Sequence, residues 1–235
     1  YSSLMQRAYD NVIHDVAIQD LPVVMCLDRG GLVGEDGVTH HGVFDMAAFG
    51  AVPGLTIAAP MNEPELRNMM YTALGSGHPF MIRYPRGHGE GLPWRGEKFE
   101  TLPVGRGRRL REGADVALLT VGTVGNAAAR AAGRAAAEGV SVAHYDLRFV
   151  KPLDEALLDE VGRKFRRVVT VEDGSLRGGV GEAVAAFFNG RGYDVRVQRL
   201  GIGDEWVEHG TPGQLYALCG YDEEGILRAL LDTRA

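Results

Sequence analysis

The chain has 235 residues, 45% of them hydrophobic and 24% charged, which suits a globular protein of one large or two modest domains. A net charge of −6 argues against nucleic acid as the main partner, since binding a phosphate backbone requires a basic field. No apolar run approaches the roughly 20 residues a membrane helix needs, and no basic segment with an apolar core opens the chain, so the expected compartment is the cytoplasm.

Residues 3–19 are predicted to form a helix. Ser3 and Gln6 have capping-box spacing, and Met5, Ala8, Tyr9, Val12, Ile13 and Val16 form an apolar stripe. A strand is predicted over 23–27, a short helix over 44–49 and a strand over 55–59. A helix over 63–74 follows Asn62 as N-cap, and a strand runs over 80–83. This alternation implies an α/β fold with a parallel sheet. Residues 87–103 lack apolar periodicity and are rich in Gly, so they read as a linker between a first domain, 1–86, and a second, 104–235. In the second unit, strands are predicted over 116–121, 140–145, 168–171 and 195–200. Helices are predicted over 127–137, 154–164, 181–188, 211–219 and 222–231. The basic clusters 106–109 and 163–167 read as solvated turns or helix ends in a chain where Arg greatly outnumbers Lys. Cys26 and Cys219 lie in apolar surroundings and are expected to be buried, unpaired thiols. The remaining histidines show no metal-ligand spacing, so no metal site is expected.

The most informative stretch runs from Asp28 to Gly42 and follows the first predicted strand. It combines Arg29, Asp28, Asp36, His40, His41 and five glycines. Glycines let a backbone turn sharply and approach a ligand. Arg29 can fork onto an anion, His40 can move a proton near neutral pH, and Asp36 can orient or charge-balance either. Strand ends in parallel α/β sheets are where ligands bind. The run 80–82 opens likewise into Arg83-Tyr84-Pro85-Arg86-Gly87, and two strand ends that each deliver Arg suggest one shared anion site. The alternatives are plain: Arg29 in an ion pair with Asp28 or Asp36, Arg86 as a surface residue, and Asp36 as a turn former before Gly37. Of the adjacent His40 and His41, one is expected to face the cleft and the other to point away. The later stretch Glu172-Asp173-Gly174 through Gly181 imitates a nucleotide loop, but its glycine spacing is wrong for a dinucleotide site, and it reads as a structural loop of the second domain.

The pattern D-R-x-G-x-V-G-x-D-G-x-T-H-x-G over 28–42 resembles the 1-deoxy-D-xylulose 5-phosphate synthases, thiamine diphosphate enzymes of the transketolase group. Arg83 to Gly87 and the opening Tyr1 to Asp10 are similar to the same family. The resemblance implies a partial pyrimidine-binding domain followed by a transketolase C-terminal-type α/β domain. It implies decarboxylation of pyruvate and transfer of the two-carbon unit to glyceraldehyde 3-phosphate, feeding isoprenoid, thiamine and pyridoxal synthesis. Thiamine diphosphate and Mg²⁺ are the implied cofactors, and a homodimer the implied assembly. Carried over by position, Tyr1, Arg29 and Arg86 fall at the acceptor phosphate, His40 and Asp36 at the reacting carbons, and Leu4 and Arg7 beside the cofactor's pyrimidine ring. Leu4 stands where the family has Phe, and Leu can pack on a ring but cannot stack as a π-system. Gly30 replaces a usual Ala. The activating Glu and the metal-diphosphate loop of the family are not found in this sequence. The chain, which begins at Tyr1, is therefore expected to be a C-terminal piece of a longer protein, inactive alone. A split transketolase, the beta subunit of a 2-oxo acid dehydrogenase, and a non-catalytic dimerisation module of the same fold remain open alternatives.

Overall fold

A computed structural model describes residues 1–232. Strands β1 (Val24–Leu27), β2 (Thr56–Ala58), β3 (Phe80–Arg83) and β7 (Phe149–Lys151) form a four-stranded sheet in the order β1-β3-β2-β7. β3 runs parallel to both β1 and β2, with Leu27 opposite Arg83 at the strand ends. One face packs Leu27, Ile57 and Met81 against Val12, Phe49 and Val52, where Phe49 belongs to helix α3 (Asp45–Gly50). The other packs Ala58, Phe80 and Ile82 against Met69 and Ala73 of α4 (Glu63–Leu74). The faces alternate because successive strand residues point to opposite sides. Asn62 caps α4, accepting from Glu65 N at 3.2 Å.

The first helical stretch is not one α-helix. It passes through α1 (Ser2–Met5), a 3₁₀ turn (Gln6–Ala8), α2 (Tyr9–Asn11) and a π-helical run (Val12–Ala17). Met5, Tyr9, Ile13 and Ala17 all pack on the first core. A spacing of four drifts off one face of a 3.6-residue helix, and the wider π turn restores it. The Ser3–Gln6 capping box does not form: Tyr1 is the N-cap, without a side-chain bond, and Ser3 Oγ is buried with no partner among the described residues.

The second sheet has the order β4-β6-β5-β8-β9, built from β4 (Arg108–Arg111), β5 (Val116–Val121), β6 (Val142–Asp146), β8 (Arg167–Ser175) and β9 (Arg196–Ile202). β5 is central and fully buried, parallel to both neighbours. Leu118 faces α5 (Val124–Ala137) and α9 (Glu223–Leu231), whose small Ala128, Ala131 and Ala135 let Ile226 and Leu230 pack close. Ala117 and Leu119 face α6 (Glu155–Lys164) and α7 (Val180–Gly190) through Leu158, Val161, Val184 and Phe188. A shorter α8 (Pro212–Leu218) carries a full capping box between Thr211 and Gln214. No helix among the described residues is long and apolar enough to cross a membrane.

Two differences from the sequence-based expectation, at the cluster 106–109 and at β7, concern how the units join. The basic cluster at 106–109 is not a solvated turn. Arg108 enters edge strand β4, antiparallel to β6, and pairs with Asp146 at 3.1 Å and Glu65 at 2.9 Å. β7 lies far along the chain yet pairs antiparallel with β2 of the first sheet. Residues 87–103 form no strand or helix but are strapped to α4: Arg67 donates to Trp94 O at 2.6 Å, and Leu102 N donates to Thr72 Oγ1 at 2.8 Å. Both cysteines are free, but Cys26 is exposed, since edge strand β1 has a neighbour on one side only.

Candidate functional site

β1 and β3 end together at one sheet edge, and Gly30 N donates to Tyr84 O at 2.9 Å beyond the last ladder pair. Arg29 sits just past that edge with φ +58°, a left-handed conformation unusual for a residue with a Cβ and typical of functional sites. Ser2 N donates to Asp28 O at 2.8 Å, which brings the first turn of α1 onto the strand end. The Arg29 guanidinium therefore lies over the Tyr1 ring, 3.7 Å from its centroid. It also pairs with Asp28, the structural alternative expected for it. Its Nε is buried and has no partner among the described residues.

The loop is closed at its waist by Gly31 and Gly42, which exchange N–H···O=C bonds of 2.7 and 2.8 Å. Gly42 must lack a side chain, because a Cβ there would collide with the Arg29 carbonyl and Ser2. Inside the loop the two histidines take separate roles. His41 is 5% exposed; its Nδ1 accepts from Val33 N at 3.1 Å and its Nε2 reaches Glu208 O at 3.3 Å. An Nδ1 that accepts leaves the proton on Nε2, so His41 holds the loop as a neutral ring. His40 is half-buried, with Nδ1 2.9 Å from Thr39 Oγ1 and its ring 6.2 Å from that of Tyr1. Its Nε2 makes no hydrogen bond among the described residues. Tyr1 thus lies between Arg29 and His40, within ring-contact distance of each.

Asp36 is exposed and pairs with Arg86 at 2.6 Å, not with Arg29. Arg29 and Arg86 share one sheet edge, but each is held by its own carboxylate. Arg86 also lines a cavity of about 470 Å³ between the two units, with Tyr84, His88, Asn126, Arg130 and Tyr216. Tyr1, Arg29 and His40 do not line that cavity.

Sequence reasoning assigned no role to Arg83, which is 4% exposed. It pairs with Asp45 at 2.8 Å and donates to Gly42 O at 3.2 Å and Asp173 O at 3.0 Å. Burial works against its charge, but Asp45 and Asp173 outweigh it and raise its pKa. An Arg closing an apolar strand hints at a buried pair, yet nothing in the sequence names the partner. The stretch 172–181 is the structural loop expected of it. Glu172 caps the N-terminus of α7, accepting from Val180 N and Gly181 N at 2.8 Å each. Its own carboxylate occupies the place a nucleotide phosphate would take. Burial raises its pKa to about 7 against those two N–H groups.

Leu4 is 54% exposed and Arg7 is exposed too, both on the first helical stretch and neither with a polar partner among the described residues. They offer one apolar and cationic wall. No cluster of three metal-ligating side chains occurs among the described residues.

Comparison with known proteins identifies the family. A family model described as the transketolase pyrimidine binding domain matches residues 1–90, and one described as the transketolase C-terminal domain matches residues 105–226. The chain is 59% identical to 1-deoxy-D-xylulose-5-phosphate synthase of Bacteroides fragilis over 100% of its own length and 36% of that protein. It is 48% identical to the protein of that name from Symbiobacterium thermophilum, over 96% of its length and 35% of that protein. It thus spans about a third of the length of the curated relatives it matches. A solved structure titled "Split gene transketolase, inactive beta4 tetramer" superposes with a TM-score of 0.86 at 26% identity, covering 98% of this chain and 73% of that one. With the C-terminal model matching more than half of its residues, the chain belongs to the transketolase family.

Proposed function

We propose that this chain is the acceptor-binding and proton-transfer part of a 1-deoxy-D-xylulose 5-phosphate synthase, acting on pyruvate and glyceraldehyde 3-phosphate. One observation carries it. The Arg29 guanidinium lies over the Tyr1 ring, which stands 6.2 Å from the His40 ring, and its buried Nε has no partner among the described residues. The guanidinium pairs with Asp28 but keeps a buried Nε–H donor without a partner among the described residues, and an arriving anion would satisfy it. Arg86, at the same edge, is the second cation for the acceptor phosphate. Its pairing with Asp36 keeps its fork oriented until an anion competes. His40, with Nε2 free of partners, is the group that exchanges a proton with the acceptor's carbonyl oxygen.

Thiamine diphosphate, when bound, supplies the electron sink for decarboxylation. Of the residues here, Leu4 and Arg7 suit the rim of its pyrimidine ring, since both face outward and lack partners. Among the described residues no cluster of metal ligands occurs, and the remaining two thirds of the relatives' length would have to provide the metal-diphosphate grip. The exposed apolar side chains Leu4, Ile18, Leu21 and Val23, together with the open edge of β1, support completion by further polypeptide and a homodimer. A second reading, in which a separate subunit completes the site, draws on the split transketolase. The Arg83 to Gly87 motif and the naming of the more similar relatives favour the synthase.

The test is consumption of pyruvate that depends on glyceraldehyde 3-phosphate, thiamine diphosphate and Mg²⁺, measured for residues 1–235 alone and for the complete polypeptide. Turnover by the complete polypeptide only is the expected result. Comparable turnover by residues 1–235 alone would overturn the division of the site, and no turnover by the complete protein would overturn the activity.

A further inference from the structure

Asp173 stands in β8 of the second sheet but spends its carboxylate on the first domain's loop. It is 4% exposed and accepts from Leu32 N at 3.0 Å, Tyr221 Oη at 2.8 Å and Tyr216 Oη at 3.2 Å. β8 loses register with β9 between Val171 and Ser175, so the backbone leaves the ladder where it reaches the loop. Gly31, with φ +90°, has no Cβ, and the space a Cβ would fill is taken by the Asp173 carboxylate. Arg83 joins the Asp173 carbonyl to that of Gly42, the other side of the loop's waist. Both arms of the loop are therefore fastened to one residue. Arg29 lies three residues before Leu32, and His40 two residues before Gly42. A buried carboxylate is a costly way to stabilise a fold, since an apolar side chain of similar size often serves as well or better. What the carboxylate does here, and an apolar group could not, is hold a loop amide at a set distance.

We propose that Asp173 is a positioning residue for the synthase reaction: acting through Leu32, it sets the distance between the Arg29–Tyr1 pair and His40. It touches no substrate. The second domain thereby acts on the chemistry without contributing a group to it. This inference rests on the synthase reading above. Displacement of a catalytic group by about 1 Å can cost on the order of 100-fold in rate, so loss of the clamp is expected to show in kinetics before it shows in folding.

The test compares Asp173→Ala and Asp173→Asn in the complete polypeptide. Asparagine keeps an acceptor oxygen for Leu32 N and Tyr221, and its NH₂ can donate to the Tyr216 oxygen; Arg83 keeps its ion pair with Asp45 and its bond to the residue-173 carbonyl, so the clamp survives without the charge. Three quantities are read: kcat, KM for glyceraldehyde 3-phosphate, and hydrogen exchange of the Leu32 amide under conditions where the variants remain folded. Asp173→Ala is expected to raise this KM about 10-fold or more, lower kcat by about 10–100-fold, and speed Leu32 exchange about 10-fold or more. Asp173→Asn is expected to stay within about threefold of wild type on all three. Wild-type kinetics and exchange in Asp173→Ala would overturn the proposal, and so would a loss of activity that only tracks the unfolded fraction. Equal losses in Asn and Ala would also overturn it, because a hydrogen-bond clamp does not need the charge. If the wild-type polypeptide shows no turnover, the synthase reading fails separately, and Leu32 exchange still decides whether Asp173 holds the loop.

Discussion

Arg86 Nη1 donates to Asp36 Oδ2 at 2.6 Å, tying the motif after β3 to the motif after β1. The two motifs are about fifty positions apart in sequence and meet because their strands are adjacent and parallel. The contact is exposed, so it contributes little to stability, and its value lies in orienting the guanidinium fork.

Arg86→Ala is therefore predicted to leave folding almost unchanged and to raise KM for the phosphorylated acceptor by about 10–100-fold, the equivalent of one charge-assisted bond. Arg86→Lys is predicted to recover only part of this, since a point charge does not match phosphate as a fork does. Steady-state kinetics with a phosphorylated aldehyde and its unphosphorylated counterpart checks it. An equal effect on both substrates would assign Arg86 to something other than phosphate.

His40→Ala is predicted to lower kcat in the complete enzyme by about 10²–10⁴-fold, with a much smaller change in acceptor KM. His41→Ala is predicted to act differently. It removes the acceptor for Val33 N and so destabilises the loop, by about 1–3 kcal/mol for a buried donor left unpaired. Kinetics for the first variant and urea unfolding for the second separate a chemical His from a structural one. Wild-type turnover in His40→Ala would remove it from the mechanism.

The joint between the two units is predicted to be sensitive at Arg148. Its guanidinium forks onto Glu65 of α4 at 2.7 and 2.9 Å, and Glu65 is buried. Arg148→Ala leaves that carboxylate with Arg108 alone, and a destabilisation of about 2–4 kcal/mol is expected. Denaturant unfolding measures it, and a change under about 0.5 kcal/mol would show that Arg108 suffices.

His144 predicts a pH dependence with a definite sign. Burial, with Arg108 and Arg111 nearby, lowers its pKa from 6.5 to about 4. Its Nε2 lies 2.9 Å from Thr120 Oγ1, whose hydroxyl donates to Tyr145 O at 3.3 Å, so the ring donates from Nε2. The unfolded chain takes up this proton more readily between pH 6.5 and 4. The stability His144 contributes is thus complete above pH 6.5 and lost as pH falls towards 4, up to about 3 kcal/mol. Asp146, raised to about 6 chiefly by burial, runs the other way: its contribution is complete below 3.8 and lost as pH rises to about 6. The difference between wild type and His144→Gln isolates the histidine. The variant should gain on wild type as pH falls, and parallel stability curves would show that His144 does not titrate in this range.

Much of the fold follows from local pattern. The run from Val116 to Val121 is apolar throughout because β5 is buried on both faces, and its neighbours alternate with helices of matching period. The caps at Asn62, Asp154, Thr211 and Asp222 all form where short polar side chains precede helical runs. That the loops after β1 and β3 lie side by side was likewise legible, because adjacent parallel strands end at the same side of the sheet. The first helical stretch was not, since its π run keeps Met5, Tyr9, Ile13 and Ala17 on the first core, a tertiary match that local propensity does not encode. Nor was β4, whose four residues include three arginines and owe their strand conformation to Asp146 and Glu65 across the joint.

Sequence alone determined which residue types stand at the two strand ends, because backbone freedom, charge and proton affinity are properties of single residues in local order. Only the tertiary structure decided who pairs with whom: Asp36 with Arg86, Arg83 with Asp45, His41 with Val33, and Asp173 with Leu32. Those bonds join positions from 8 to 141 residues apart. A buried donor takes whichever acceptor the packed chain brings within about 3 Å, and local sequence does not encode that distance.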